Sequence, residues 1–63
     1  MVELIVERWS YPDGGTEFFW SLWQDGTRVH FSERHGSSEA AEAEARDFCR
    51  RALGTAPDRV THL

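Results

Sequence analysis

Between two runs of strand-forming residues, Glu17 to Gln24 and Thr27 to Ser32, stands the dipeptide Asp25-Gly26. Asp-Gly in that setting is the strongest short hairpin signal a sequence carries, because a two-residue turn of this type needs positive φ at both central positions. This one feature constrains the chain more than any other. It makes both runs strands and antiparallel neighbours, and it predicts a register: Trp23 opposite Arg28, Leu22 opposite Val29, Ser21 opposite His30 and Trp20 opposite Phe31.

Side chains alternate across a strand, so the register sorts residues onto two faces. Phe18, Trp20, Leu22, Val29 and Phe31 are expected on one face, joined by Val2, Leu4 and Val6 from an alternating first strand over Val2 to Ser10. Tyr11-Pro12-Asp13-Gly14-Gly15 links that strand to the aromatic one. Its proline presets one dihedral and its glycines permit positive φ.

The remainder reads as a helix and a short last strand. Ser37 or Ser38 can cap the helix. Glu39 and Glu42 near its start and Arg50 and Arg51 near its end complement the helix dipole, Gly54 closes it and Pro57 blocks continuation. Ala41, Ala45, Phe48 and Ala52 form one apolar stripe, with Cys49 beside it, Leu53 at its margin and Phe48 as the main plug. Arg59 to Leu63 can return beside the first strand. The predicted fold is therefore α+β over residues 1–63 as one small domain: a two-layer arrangement, β-β-β-α-β, with a three- to four-stranded, mainly antiparallel sheet and one helix on one face. A right-handed return of the last strand gives the order 3-2-1-4.

One helix covers only one face of a sheet. The other face is predicted to carry Ile5, Trp9, Tyr11, Phe19, Trp23, Arg28 and His30. Exposed sheet faces are normally polar, and a large exposed apolar patch marks an interaction surface. Trp9, Tyr11, Phe19, Trp23, Arg28 and His30 are thus the candidate binding residues, with the aromatic rings as anchors. The bland readings are a local stack of Trp23 on Arg28 and the ordinary preference of aromatics for strands. The face can also pair with a second copy of itself, which would enlarge a small core.

A second candidate surface is the acidic side of the helix, Glu39, Glu42 and Glu44, directed at a basic protein surface. Glu42–Arg46 and Asp47–Arg51 stand at i,i+4 and account for part of that charge as helix stabilisation. The two modes separate by salt, which weakens the acidic mode steeply and the aromatic mode little.

Catalytic and metal chemistry finds little footing. His30, His35 and His62 show no ligand spacing with one another or with Cys49, so no metal or cofactor is expected. Cys49 reads as a small core residue, and Gly14-Gly15 precedes a strand rather than a helix, so it is no phosphate cradle. The protein is expected not to be an enzyme; one would need a polar cleft converging on His30 or Cys49. With one cysteine in 63 residues no intrachain disulfide forms. No apolar run is long enough to span a bilayer, and Met1 to Glu7 lacks the pattern of an export signal. A cytoplasmic location follows as the expectation. The net charge of −4 opposes nucleic-acid binding, which leaves a single-stranded nucleic-acid platform as the last of the readings.

The segment from Phe18 through Trp23 to Asp25-Gly26, continuing past Val29 and Ser32 to Ser37-Ser38 and the Ala40-Ala41 helix, resembles the YegP-like family of small bacterial proteins. Those have an aromatic strand, a glycine turn, a strand ending near serine and a serine-capped helix with alanines. The likeness covers about half of the chain. The long first hairpin and the C-terminal strand depart from it, and no functional residue carries over. The β-β-β-α-β order is also similar to HicB-type antitoxin domains, which neutralise an RNA-cleaving partner, although the chain lacks their DNA-binding extension. Size and acidity are shared with small phage inhibitors of the anti-CRISPR kind, which would occupy a nucleic-acid-binding surface of a defence protein. In each of these readings the protein acts by binding.

Overall fold

The computed structural model describes residues 1–63. Four strands and one helix follow in the order β1 (Val2–Ser10), β2 (Thr16–Gln24), β3 (Thr27–Phe31), α1 (Ser38–Leu53) and β4 (Arg59–His62). The sheet order is β3-β2-β1-β4, with β1 antiparallel to β2 and parallel to β4. The architecture is therefore the expected α+β one, mainly antiparallel with one parallel pair.

The turn chemistry that the sequence announces is in place. Asp25 (φ 51°) and Gly26 (φ 83°) both occupy the left-handed region, as a two-residue hairpin requires. The loop between β1 and β2 closes through Gly14 N–H donating to Tyr11 C=O at 3.0 Å and Tyr11 N–H to Gly15 C=O at 2.9 Å. Ser37 is the helix N-cap, its hydroxyl accepting from Ala40 N–H at 3.1 Å. Gly54, at φ 71°, ends the helix and donates to Arg50 C=O at 2.9 Å.

The core lies between α1 and one face of the sheet. It comprises Val2, Leu4 and Val6 of β1, Trp20 and Leu22 of β2, and Ala41, Ala45 and Cys49 of α1. Trp20, 1% exposed, is the largest of them, and Phe48 is only half-buried against it with ring centroids 5.3 Å apart. The plug of this core is thus the tryptophan from the sheet, not Phe48. The small helical residues leave room for an indole beneath α1. The stripe also differs at its end, where Ala52 is exposed and Leu53 packs inward.

The predicted register fails at one place. Trp23 pairs with Arg28 as expected, but Leu22 pairs with His30 and Ser21 with Phe31, so Val29 is an extra residue in β3. A bulge of this kind reverses the facing of everything beyond it. Val29 (47% exposed) and Phe31 (40% exposed) are consequently outside the core. His30 leaves the open face and turns to the helix side, stacked on Phe48 at 4.3 Å and against Trp20 at 5.0 Å. Volume explains the outcome. Trp20 already fills the space under α1, and a Phe31 ring directly opposite it would overfill a layer already lined with Phe18 and Phe48.

Past the bulge the ladder is completed by a side chain. Ser32 N–H donates to Trp20 C=O at 2.8 Å, while the Ser32 hydroxyl oxygen accepts from Trp20 N–H at 2.8 Å. His35 then bridges to Phe18 through a pair of backbone hydrogen bonds. β1 and β2 run on beyond the ends of β3 and β4, so the first hairpin projects as a two-stranded arm.

Candidate functional site

The face of the sheet away from α1 is laid out by the pairing. One cross-strand row holds Arg59, Glu3, Trp23 and Arg28, and the next holds Thr61, Ile5, Ser21 and Phe31. Glu7 then pairs with Phe19, and Trp9 with Glu17 on the projecting arm. No element of the fold lies over these rows.

An aromatic ladder crosses the face diagonally. Trp9 and Phe19 meet with centroids 5.0 Å apart and planes tilted by 54°, and Phe19 and Phe31 stack at 5.6 Å and 12°. Both are favourable ring geometries. Trp9 is 45% exposed, so the ladder has solvent-facing rings at both ends. Arg28 lies over Phe31, its guanidinium carbon 5.3 Å from the ring centroid, rather than over Trp23. Trp23 instead donates its indole N–H to the Ser21 hydroxyl at 2.8 Å, and Ser21 is fully buried among its neighbours.

Polar pairs frame the rings. Arg59 and Thr61 both donate to a Glu3 carboxylate oxygen, at 3.0 and 3.1 Å. These two bonds hold the Glu3 carboxyl below the usual glutamate range, against a smaller opposing effect of desolvation. Tyr11 sits at the start of the hairpin loop and donates its hydroxyl to Glu17 at 2.9 Å, which raises the phenol above its ordinary value. Glu17 also pairs with Arg34 at 3.3 Å. An apolar centre within a polar rim is the usual anatomy of a protein interface.

Of the six residues that the sequence singles out for this surface, Trp9, Phe19, Trp23 and Arg28 lie on the face and Tyr11 at its rim, while His30 is on the other side of the sheet. Phe31 takes a place there that sequence reasoning missed. The signal that could have found it is steric, since the regular register would have set Phe31 beside Trp20 in a core lidded by alanines.

The acidic helix surface is different in character. Glu42 accepts from Arg46 at 2.8 Å and from His62 at 2.7 Å, which lowers its carboxyl below the glutamate range. Glu44 pairs with His35, whose other ring nitrogen lies 2.9 Å from Glu33 C=O. Glu39 alone of the three has no ionic partner within the chain. Two shallow concavities exist, one bounded by Arg8, Ser38 and His62 and the other along Glu39, Glu42 and Arg46, and neither reaches His30 or Cys49. No group of three or more His, Cys, Asp or Glu side chains is gathered where it could hold a metal ion. No helix is long and apolar enough to cross a membrane.

Compared with protein families, curated proteins and solved structures, the chain matches none.

Proposed function

We propose that the protein is a non-enzymatic protein-binding module whose open aromatic face docks against another protein surface. The observation that carries this reading is the Trp9–Phe19–Phe31 ladder, with rings exposed at both ends on a sheet face that nothing in the fold covers. Aromatic side chains contribute large, rigid contact area at low entropic cost, which is why they dominate binding hot spots. The charges around the ladder are balanced, Glu3, Glu7 and Glu17 against Arg28, Arg34 and Arg59, and lack the basic excess that a nucleic-acid platform needs. The acidic helix is the weaker candidate, because Glu42 and Glu44 are already engaged within the chain.

The test is affinity capture with the immobilised wild type, Phe31→Ser, and the triple variant Glu39→Gln, Glu42→Gln, Glu44→Gln, at low and high salt. The expected result is a captured chain that is lost with Phe31→Ser, retained with the triple variant and little affected by salt. Capture that disappears with the triple variant and with salt, but survives Phe31→Ser, would move the function to the helix.

A further inference from the structure

We infer that the surface meeting the aromatic face is the same face of a second copy, related by a two-fold axis through Ser21. This rests on the reading of that face as a protein-binding surface and names its partner.

Charge is the first observation. Among the charged side chains of the face, Glu3 is paired with Arg59 and Glu17 with Arg34. Two are left without an opposite charge in their own chain. Glu7 receives only the Trp9 indole N–H, at 3.3 Å, and Arg28 has only the Phe31 ring. One is negative and the other positive. A single self-complementary pair is what an isologous interface requires, since residue i then meets j and j meets i.

Placement is the second. Arg28 lies two strands across and four residues along from Glu7, and Ser21 sits halfway between them, one strand and two residues from each. A two-fold axis lying in the interface and passing over Ser21 sets each Arg28 above the Glu7 of the other copy. With strands about 4.8 Å apart and a rise of about 3.3 Å per residue, the same operation places Phe19 over the partner copy's Phe31, and Trp23 over its Ile5. The strands of the two sheets then cross steeply, at about 70°, near the orthogonal class of sheet packing. Ser21 on the axis is small and its hydroxyl oxygen already accepts from Trp23, while Arg59, also on the axis, faces the Arg59 of the other copy with each held to its own Glu3.

Area and net charge agree. Twenty-seven residues make up the four strands. At the spacings above they present about 430 Å² of flat sheet per copy, hence at most about 860 Å² for two before the relief of the rings is counted, because the arm with Trp9 and Glu17 extends past a sheet crossed at about 70°. This is below the roughly 1,000 Å² that a specific interface needs, which calls for a weak, concentration-dependent dimer. The chain carries a net charge of −4, yet this face is neutral, so two copies meet here without net repulsion and keep their excess acid outward. The gain is a second core layer for a domain whose first holds eight buried apolar side chains.

The experiment is sedimentation equilibrium at low ionic strength, from about 10 µM to 1 mM, a range set by the weak affinities of small interfaces. It compares wild type, Phe31→Ser, Arg28→Glu, Glu7→Arg and the double swap Arg28→Glu/Glu7→Arg. The expected result is a wild-type dimer, weakened at least about tenfold by each single charge reversal and largely restored by the swap, with Phe31→Ser monomeric. Circular dichroism checks that each variant is folded. A dimer that ignores all four variants uses another surface and overturns the inference, as does a swap that restores nothing. A wild type monomeric throughout also overturns it. The capture experiment then separates the two claims: capture dependent on Phe31 keeps the face as a binding surface for a different protein, and its absence removes both.

Discussion

The hydroxyl oxygen of Ser32 accepts the backbone amide hydrogen of Trp20 at 2.8 Å, in the position where a regular strand would offer a carbonyl. Both residues are buried, so the bond is shielded from solvent. Ser32→Ala should leave the Trp20 amide unpaired and cost about 1–3 kcal/mol. Urea denaturation would show the loss as a lower midpoint at unchanged slope.

Trp20 itself carries the one orphan of the core, an indole N–H buried without a hydrogen-bond acceptor. Trp20→Phe removes that group together with part of the ring. Its cost should therefore stay below about 2 kcal/mol, against about 3–5 kcal/mol for Trp20→Ala. Equal losses in thermal or urea unfolding would contradict this account of the indole.

Deleting Val29 should be tolerated. The residues around it already pair as though it were absent, Arg28 with Trp23 and His30 with Leu22. Its removal regularises β3 and leaves Phe31 on the open face. The expected change in stability is within about 1 kcal/mol, and the near-ultraviolet dichroism of the stacked rings should survive. Collapse of that signal would mean that the bulge is needed to aim Phe31.

The Glu3 and Glu42 carboxyls are both held below the ordinary glutamate range, Glu3 by Arg59 and Thr61 and Glu42 by Arg46 and His62. A carboxylate with a depressed native value favours the folded state fully above its unfolded value of about 4.3, and loses that contribution as pH falls through the lower native value. Stability should therefore decline below about pH 4.3. The gaps between wild type and Glu3→Gln or Glu42→Gln, measured by urea denaturation at pH 7, should narrow at pH 3 and in high salt.

Cys49 is fully buried, its thiol donating to Thr55 C=O at 3.2 Å. Burial raises the thiol above its ordinary value, with a smaller contribution from the Asp58 charge. The nucleophile is the thiolate. Reaction with a thiol reagent at pH 8 should be about a thousandfold slower in the native protein than after unfolding in urea. Rapid native reactivity would show that the end of α1 opens by itself.

The elements with local chemical signatures were legible in the sequence. Asp25-Gly26, the Val2-Leu4-Val6 alternation, the Ser37 cap and Gly54 each act within a few residues, and the side of β1 taken by β4 followed from connection rules. The bulge at Val29 was not legible, because neither glycine nor proline marks it and its cause lies across the core, in the bulk of Trp20. That single residue explains most of the differences, with His30 moved under the helix and Phe31 and Arg28 brought together outside. The substitution of the Ser32 hydroxyl for a ladder carbonyl is a further consequence that no periodicity reveals. Alternation along β1 and β2 alone sets the side of the sheet taken by Trp9, Phe19 and Trp23, because all three precede the bulge.

The parallel pairing of β1 with β4 has a consequence for how the molecule is made. Glu3 lies beside Arg59 and Val6 beside His62, so one edge of β1 stays bare until β4 docks against it. The hairpins and α1 are local and form early, whereas this pairing must close a loop of almost the whole chain. Until then the chain displays a bare strand edge next to the apolar Val2, Leu4 and Val6, the kind of surface to which other incompletely folded chains adhere. Chains in which β4 has not yet docked are therefore the ones expected to misassemble.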